Sequence, residues 1–335
     1  MKNIIFIFCL IVLLSCKEKS SEKTVLQGQA FGTTFSIQVY LEKEVNLEKG
    51  IDSVFYKVNK SVSTYLPESD ISKINRGDTS VIVDQIFIDN FNLSAIVHKT
   101  TGGYFDPTIG VLRNAYGFGD TKPLKEIDSV ALDSMLRFVG FNKVKLTSNN
   151  RIEKMYPEIY FDFNAVAKGY GIDLIGNYLE SKGAENFLIE LGGEILAKGK
   201  NLEKNKTWVV GIENVKSNLN DRSYSTAIAL EDIAMATSGN YRKFRVDSLT
   251  GKKYVHTLNP ITGSAEKSDI TSATVLASTC ALADAYATSF MALGLEKSKE
   301  VLKNLNGIEV YFTFNDENNK EQVYVTEGLK NRILD

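Results

Sequence analysis

The sequence predicts an α+β protein with helices and strands interspersed along the chain. Three observations carry this expectation. Short stretches alternating apolar and polar residues recur throughout, which is the period of a half-buried strand. Longer segments between them space their apolar residues three and four apart, as helices do. Several of those segments stop at a glycine, the residue that tolerates the left-handed backbone of a helix end. The 335 residues are 43% hydrophobic, include only five prolines, and show no repeat and no low-complexity tract after residue 23. No linker composition is evident, so the folded part is expected to form one domain with a large core.

The elements follow in order. Residues 24–41 alternate around Gly32, as in a strand with a kink or bulge. Residues 46–59 and 84–101 have helical spacing, the second closed by Gly102-Gly103, and a third helix over 127–139 stops at Gly140. Strands are predicted over 143–147 and 158–163, then a helix over 164–182 between an Asn164 cap and Gly183. Further strands are predicted over 186–191, 208–213, 226–230, 243–246, 253–258 and 272–277, with "VDSLTGKKYV" as a hairpin signal. A helix over 279–294, a charged helix over 296–306 and a hairpin of "IEVYFTF" with "EQVYVTEG" close the chain.

Lys2 precedes an apolar run of about eleven residues, where a membrane-spanning helix needs roughly twenty, so residues 1–15 are expected to be a signal peptide. The run ends in Leu13-Leu14-Ser15-Cys16, which resembles a bacterial lipobox; the alternative is an ordinary secretory cleavage site beside an incidental cysteine. On the first reading Cys16 carries the lipid, residues 16–23 are a tether, and residues 24–335 form a domain anchored outside the cytoplasm, at the periplasmic face of the inner membrane. Cys280 then remains as a small buried hydrophobe, with Cys9 lost and no internal disulfide. A net charge of −2 argues against nucleic acid as the main partner.

Four stretches carry chemistry. Between residues 270 and 295 the only formal charge is Asp284, in "TCALADAYATSFMALG". An unpaired carboxylate among alanines and aromatics costs several kcal/mol, so Asp284 needs a partner. On a helix it shares a face with Thr288, and two hard oxygens there suit Mg2+ or Ca2+; equally, Asp284 is placed to cap a loop and Thr288 to bond its own helix. In "YFDFNAVAKGYGID", residues 160–173, Asp162 ends a strand and Lys168 lies in the first turns of a helix, a place that suits a phosphate or holds a solvated lysine. "ATSGNYRKF" is a turn entering a strand with Arg242, and "YVHTLNPITG" places His256 where a strand meets a loop, as a working residue or an edge hydrogen-bonder. His98, inside a helix, is expected to be structural. "TTGGYFDPTIGVLRNAYGFG" is a glycine-rich aromatic loop able to wall a planar ring system.

Taken together with "GQAFGTTFSI", "SVSTYLPESDISKIN" and "LIELGGEILAKG", these blocks resemble the ApbE family of FAD:protein FMN transferases from about residue 27 to 328. The resemblance implies a T-fold-like single domain of mixed, largely antiparallel sheets with packed helices, and an FAD groove between lobes. It implies flavin and adenine contacts at Phe31, Tyr65, Tyr104, Phe105, Asp106, Asp162, Lys168 and Leu258. It places Mg2+ on the Ala165 carbonyl, Asp284 and Thr288, and makes His256 and Asp284 the catalytic residues. Two positions depart from some relatives: Ala287 stands where they have a carboxylate, and Lys168 where they have a glutamate. The implied reaction moves FMN from FAD to a Ser or Thr hydroxyl of a client flavoprotein subunit in a membrane redox complex, releasing AMP. Alternatives are hydrolysis of FAD to FMN and AMP, a non-catalytic flavin-binding lipoprotein, and a surface lipoprotein of unrelated function. Tyr65 favours transfer, since the resemblance associates Tyr there with transfer and Asn with hydrolysis. No phosphate loop and no dinucleotide glycine motif is present.

Overall fold

The computed structural model describes residues 21–124, 127–217, 223–240, 244–246, 253–265 and 268–334. The leader, Cys16, most of the tether, Arg242 and the hairpin turn over 247–252 lie outside the described residues. The chain opens with a hairpin, β1 (Glu22–Ala30) and β2 (Thr33–Leu41). Helices α1 (Glu48–Val62), α2 (Asp70–Asn75), α3 (Gln85–Thr100), α4 (Gly110–Tyr116) and α5 (Ser129–Leu136) follow, then a short pair, β3 (Val144–Leu146) and β4 (Ile152–Lys154). After α6 (Ala167–Ser181) come β5 (Asn186–Leu191), β6 (Glu194–Lys198), β7 (Lys200–Asn201), β8 (Lys206–Glu213), β9 (Tyr224–Leu230), β10 (Ile233–Gly239), β11 (Phe244–Val246) and β12 (Lys253–Val255). The last part holds β13 (Ile270–Ala277), α7 (Cys280–Leu293), α8 (Leu295–Leu302), β14 (Glu309–Asn315), β15 (Glu321–Val325), α9 (Glu327–Lys330) and β16 (Ile333–Leu334).

Eight strands form one sheet in the order β1-β2-β5-β6-β10-β13-β14-β15, and every neighbouring pair is antiparallel. A smaller sheet, β16-β9-β8-β7, covers one face, and α6 and α7 cover the other. The residues show why both faces are covered. On β10, Ala234 and Ala236 pack toward the helices while Met235 between them packs with Trp208 and Ile228 of the small sheet. On β2, Ile37, Val39 and Leu41 face the helices, and Tyr40 faces the small sheet. Strands with two apolar faces need a layer on each side, and the predicted α+β domain is a three-layer stack.

The two covering helices touch unusually closely. A side chain on Gly169 of α6 would stand 2.4 Å from the Cys280 carbonyl oxygen at the start of α7, so only glycine fits. We expect Gly169→Ala to lower stability by about 1–3 kcal/mol, the cost of overpacking a core contact. Urea unfolding of the two proteins checks it.

The structure corrects several boundaries. Residues 24–41 are a hairpin, because Phe31 (φ 50°) and Gly32 (φ 75°) are both left-handed, as a two-residue turn of this kind requires. Residues 158–163 form no strand. That segment meets a side chain and loops: Asn75 bonds both the amide and the carbonyl of Phe161 (2.7 and 2.9 Å), Asp162 donates to Pro107, and Tyr160 accepts from Gly110. The predicted 164–182 helix starts at Ala167, and Asn164 lies in the turn before it, its amide donating to Asp162 at 2.8 Å. "ATSG" is the end of the central strand β10, and β12 stops at Val255, which leaves His256 and Leu258 in the following loop. Asp84 caps α3, accepting from Phe87 at 3.0 Å.

Candidate functional site

A cleft of about 770 Å³ opens on the helix-covered side of the large sheet, within the size range of small-molecule sites. The β1–β2 turn, the end of α1, the loop before α4, the turn before α6, the end of β10, the loop after β12 and α7 all contribute to it. Every residue that the family resemblance assigns to flavin, metal or catalysis lines this one cleft: Phe31, Tyr65, Tyr104, Phe105, Asp106, Asp162, Ala165, Lys168, His256, Leu258, Asp284 and Thr288. They come from segments scattered over most of the chain.

The floor is an acid–lysine–acid cluster. Asp284 is 3% exposed, and one of its oxygens accepts from the Gly169 amide at 3.2 Å. Lys168, in the first turn of α6, makes an ion pair with Oε1 of Glu194, a residue at the start of β6 that is also 3% exposed. The other oxygen of Glu194, Oε2, is buried with no hydrogen-bond partner among the described residues. Burial lifts the Glu194 carboxyl to about 7 against the pull of Lys168. It lifts Asp284 as well, opposed by Lys168 and the Gly169 amide. For Lys168 burial works the other way, and the charges of Glu194 and Asp284 outweigh it, so the ammonium is held above the usual lysine range. The ionised cluster thus carries two carboxylates and one ammonium.

Neighbouring elements fix the cluster in place. Asp173 of α6 accepts from the Cys280 and Ala281 amides at 2.7 and 2.9 Å, tying α6 to the N-terminus of α7, while burial raises its own carboxyl to about 6. Thr279 caps the same helix by accepting from Leu282. Thr288 lies one turn beyond Asp284, with its hydroxyl 3.3 Å from that of Ser238 on β10. The first-turn amides of α6 are largely spent: Ala167 donates to Phe163, Gly169 to Asp284 and Tyr170 to Val166. The attraction for an anion there rests mainly on the Lys168 ammonium.

The walls are less uniform. Asp162 forms an ion pair with Arg113 of α4. The Asp106 carboxylate shapes its loop, accepting from Thr108 twice (2.6 and 2.8 Å) and from the Phe141 amide at 2.9 Å. His98 bonds the Phe105 carbonyl through Nδ1 at 2.9 Å, the structural place expected of it. Lys297 of α8 bonds the Tyr104 hydroxyl and sits 4.7 Å from its ring centre. Phe31 packs edge-on against Phe55 of α1 at 5.3 Å. Tyr65 stands 59% exposed at the rim. Leu258 is buried against Leu112 and Tyr116 of α4. Glu194 and Arg113 are the residues sequence reading missed. Glu194 carries the same signal as Asp284, an acid in an apolar run, and so does Glu190 four residues earlier.

A cleft lined by aromatic rings, a lysine and buried acids defines an α+β protein suited to an anionic, ring-bearing ligand. The model of the ApbE family matches residues 31–312, and the chain belongs to that family. It is 31% identical over 328 residues, 94% of this chain and 93% of the relative, to a Haemophilus influenzae protein named FAD:protein FMN transferase. It is 32% identical over 311 residues, 90% of each, to a Vibrio cholerae protein of the same name. The solved flavin transferase ApbE from Vibrio cholerae is 30% identical and superimposes with a TM-score of 0.83 over 93% of this chain and 99% of that one. The Pseudomonas stutzeri flavinyl transferase ApbE, 22% identical with a TM-score of 0.82, shares the fold.

Proposed function

We propose that the protein transfers FMN from FAD to a Ser or Thr hydroxyl of a client protein and releases AMP. The observation that carries this reading is the convergence of all the expected flavin, phosphate and metal residues on one cleft, in a chain similar along most of its length to proteins named for that activity. The client oxygen attacks the phosphorus on the riboflavin side, the bond to the AMP phosphate breaks, and the hydroxyl proton passes to a base. His256, in the loop after β12, is the base the cleft offers. Lys168 meets the diphosphate oxygens, Glu194 holds that ammonium in place, and the aromatic residues Phe31, Tyr104 and Phe105 flank the ring systems.

The floor also fits a hard divalent cation. Asp284, Thr288 and the Ala165 main chain bring oxygen donors to the same cleft, the buried cluster carries one more negative than positive charge when both its acids are ionised, and Glu194 Oε2 lacks a partner among the described residues. Ala287 is fully buried and adds no side-chain oxygen. Bound there, Mg2+ supplies charge that offsets the negative charge growing on the leaving AMP. Lipidation at Cys16 would hold the enzyme at the outer surface of the cytoplasmic membrane, beside a client subunit of a membrane redox complex.

Incubating the soluble domain with FAD and Mg2+, with and without acceptor protein, tests the reading. AMP only with acceptor supports transfer, AMP without it makes the protein a hydrolase, and no AMP leaves flavin binding alone. The exposed Tyr65 bears on the first choice, standing where the client must approach. Tyr65→Asn is expected to raise acceptor-independent AMP release about tenfold, a change of about 1.4 kcal/mol in barrier. A flat rate would remove Tyr65 from the choice between water and client.

A further inference from the structure

A second groove, of about 440 Å³, runs along the free edge of β1 and is walled by residues 25–29 and the first turn of α1. Among the described residues β1 is the outermost strand of the large sheet and pairs only with β2. Gly192 donates to Thr34 from the β5 side, which turns Thr34 and Ser36 toward β5 and leaves Thr33, Phe35 and Ile37 to bond β1. Their partners on β1 are Ala30, Gly28 and Leu26. The amides and carbonyls of Val25, Gln27 and Gln29 therefore face the open edge. Soluble proteins guard such edges with charge or proline. Between Val25 and Gln29 there is neither, and Lys23 at the start of the strand is held by Glu203 at 2.7 Å.

Two further features say what fits. Glu48 and Asp52, one turn apart on α1 and both exposed, line the groove, and no basic residue does. The groove also shares a wall with the cleft: Phe35 lines the groove, Phe31 lines the cleft, and both rings pack on Phe55, at 5.1 and 5.3 Å.

We propose that the acceptor segment of the client docks on β1 as an added strand. This rests on the FMN-transfer reading. The main chain of the segment pairs with Val25, Gln27 and Gln29, and a Lys or Arg on it reaches Glu48 and Asp52. Running on past Ala30, it enters the cleft beside Phe31, Gly32 and Thr33 and carries its hydroxyl to the phosphate.

The test is steady-state flavinylation of the acceptor, taken as the membrane protein that carries covalent FMN in wild-type cells and loses it in a strain without this chain. Gln27→Pro, which removes an edge amide, is expected to raise KM for the acceptor tenfold or more with kcat and FAD affinity unchanged. The Glu48→Lys, Asp52→Lys double variant, exposed and tolerant of charge, is expected to do the same. It is also expected to recover an acceptor whose basic residue is reversed to Glu. An unchanged KM in both variants overturns the proposal, and so does a sedimenting dimer that Gln27→Pro dissociates without altering KM, which makes the occupant a second copy. Absence of transfer by the wild type instead removes the functional reading, and the docking proposal with it.

Discussion

Asp284→Ala is expected to lower AMP release from FAD by about a thousandfold, the several kcal/mol that a positioned divalent cation contributes to phosphoryl transfer. The fold should survive, because burial already raises the Asp284 carboxyl and its removal takes an unfavourable charge out of the core. The Gly169 amide loses its acceptor, a cost of about 1 kcal/mol. Calorimetric titration separates the possible causes: Mg2+ binding should vanish in the variant while the melting temperature stays within a few degrees. Normal AMP release from a folded variant would show that the acid holds α6 to α7 and does nothing else.

Lys168→Met is expected to be the more damaging to the fold. It leaves Glu194 and Asp284 facing each other with no counter-charge. Breaking a buried pair this way costs about 3–5 kcal/mol. The Lys168 side chain is 29% exposed, so a smaller loss, about 2–3 kcal/mol, is expected. The loss should depend on pH with a definite sign. Glu194 in the folded protein keeps its proton up to about 7, above the ordinary glutamate range, so below that value the cluster holds a neutral acid and needs less compensation. In the wild type this same shift means that folded Glu194 binds a proton the unfolded chain has released, so its contribution to stability declines as pH rises toward 7. The gap between variant and wild-type melting temperatures should therefore widen from pH 5 to pH 8. A constant gap would place Lys168 outside the electrostatics of Glu194.

The parts of the molecule legible in the sequence were those with local signals. Gly102 after an apolar helix and a lone acid in an alanine-rich run each announce themselves over a few residues, and so does the β14–β15 hairpin. What escaped was decided by partners distant in the chain. The 158–163 segment has the composition of a strand, yet its hydrogen bonds go to Asn75 and the loop before α4, which no local pattern reveals. The end of β10 has the composition of a turn because Thr237, Ser238 and Gly239 are small, as suits a strand packed under α7. Glu194 was hidden for the same reason, since its meaning comes from Lys168, twenty-six residues earlier. The site residues themselves were reached through family resemblance, and the structure explains how so dispersed a set is brought to one place.

The cleft takes one wall from the turn at Phe31 and its floor from Asp284 and Thr288 in α7, so nearly the whole sequence must be folded before any of it exists. Contacts this distant form late, after the large entropic barrier has been crossed. A dinucleotide therefore has nothing to grip on a nascent or partly folded chain. Its influence falls almost wholly on escape from the finished state: flavin should lengthen the lifetime of the native protein while leaving its rate of formation nearly untouched.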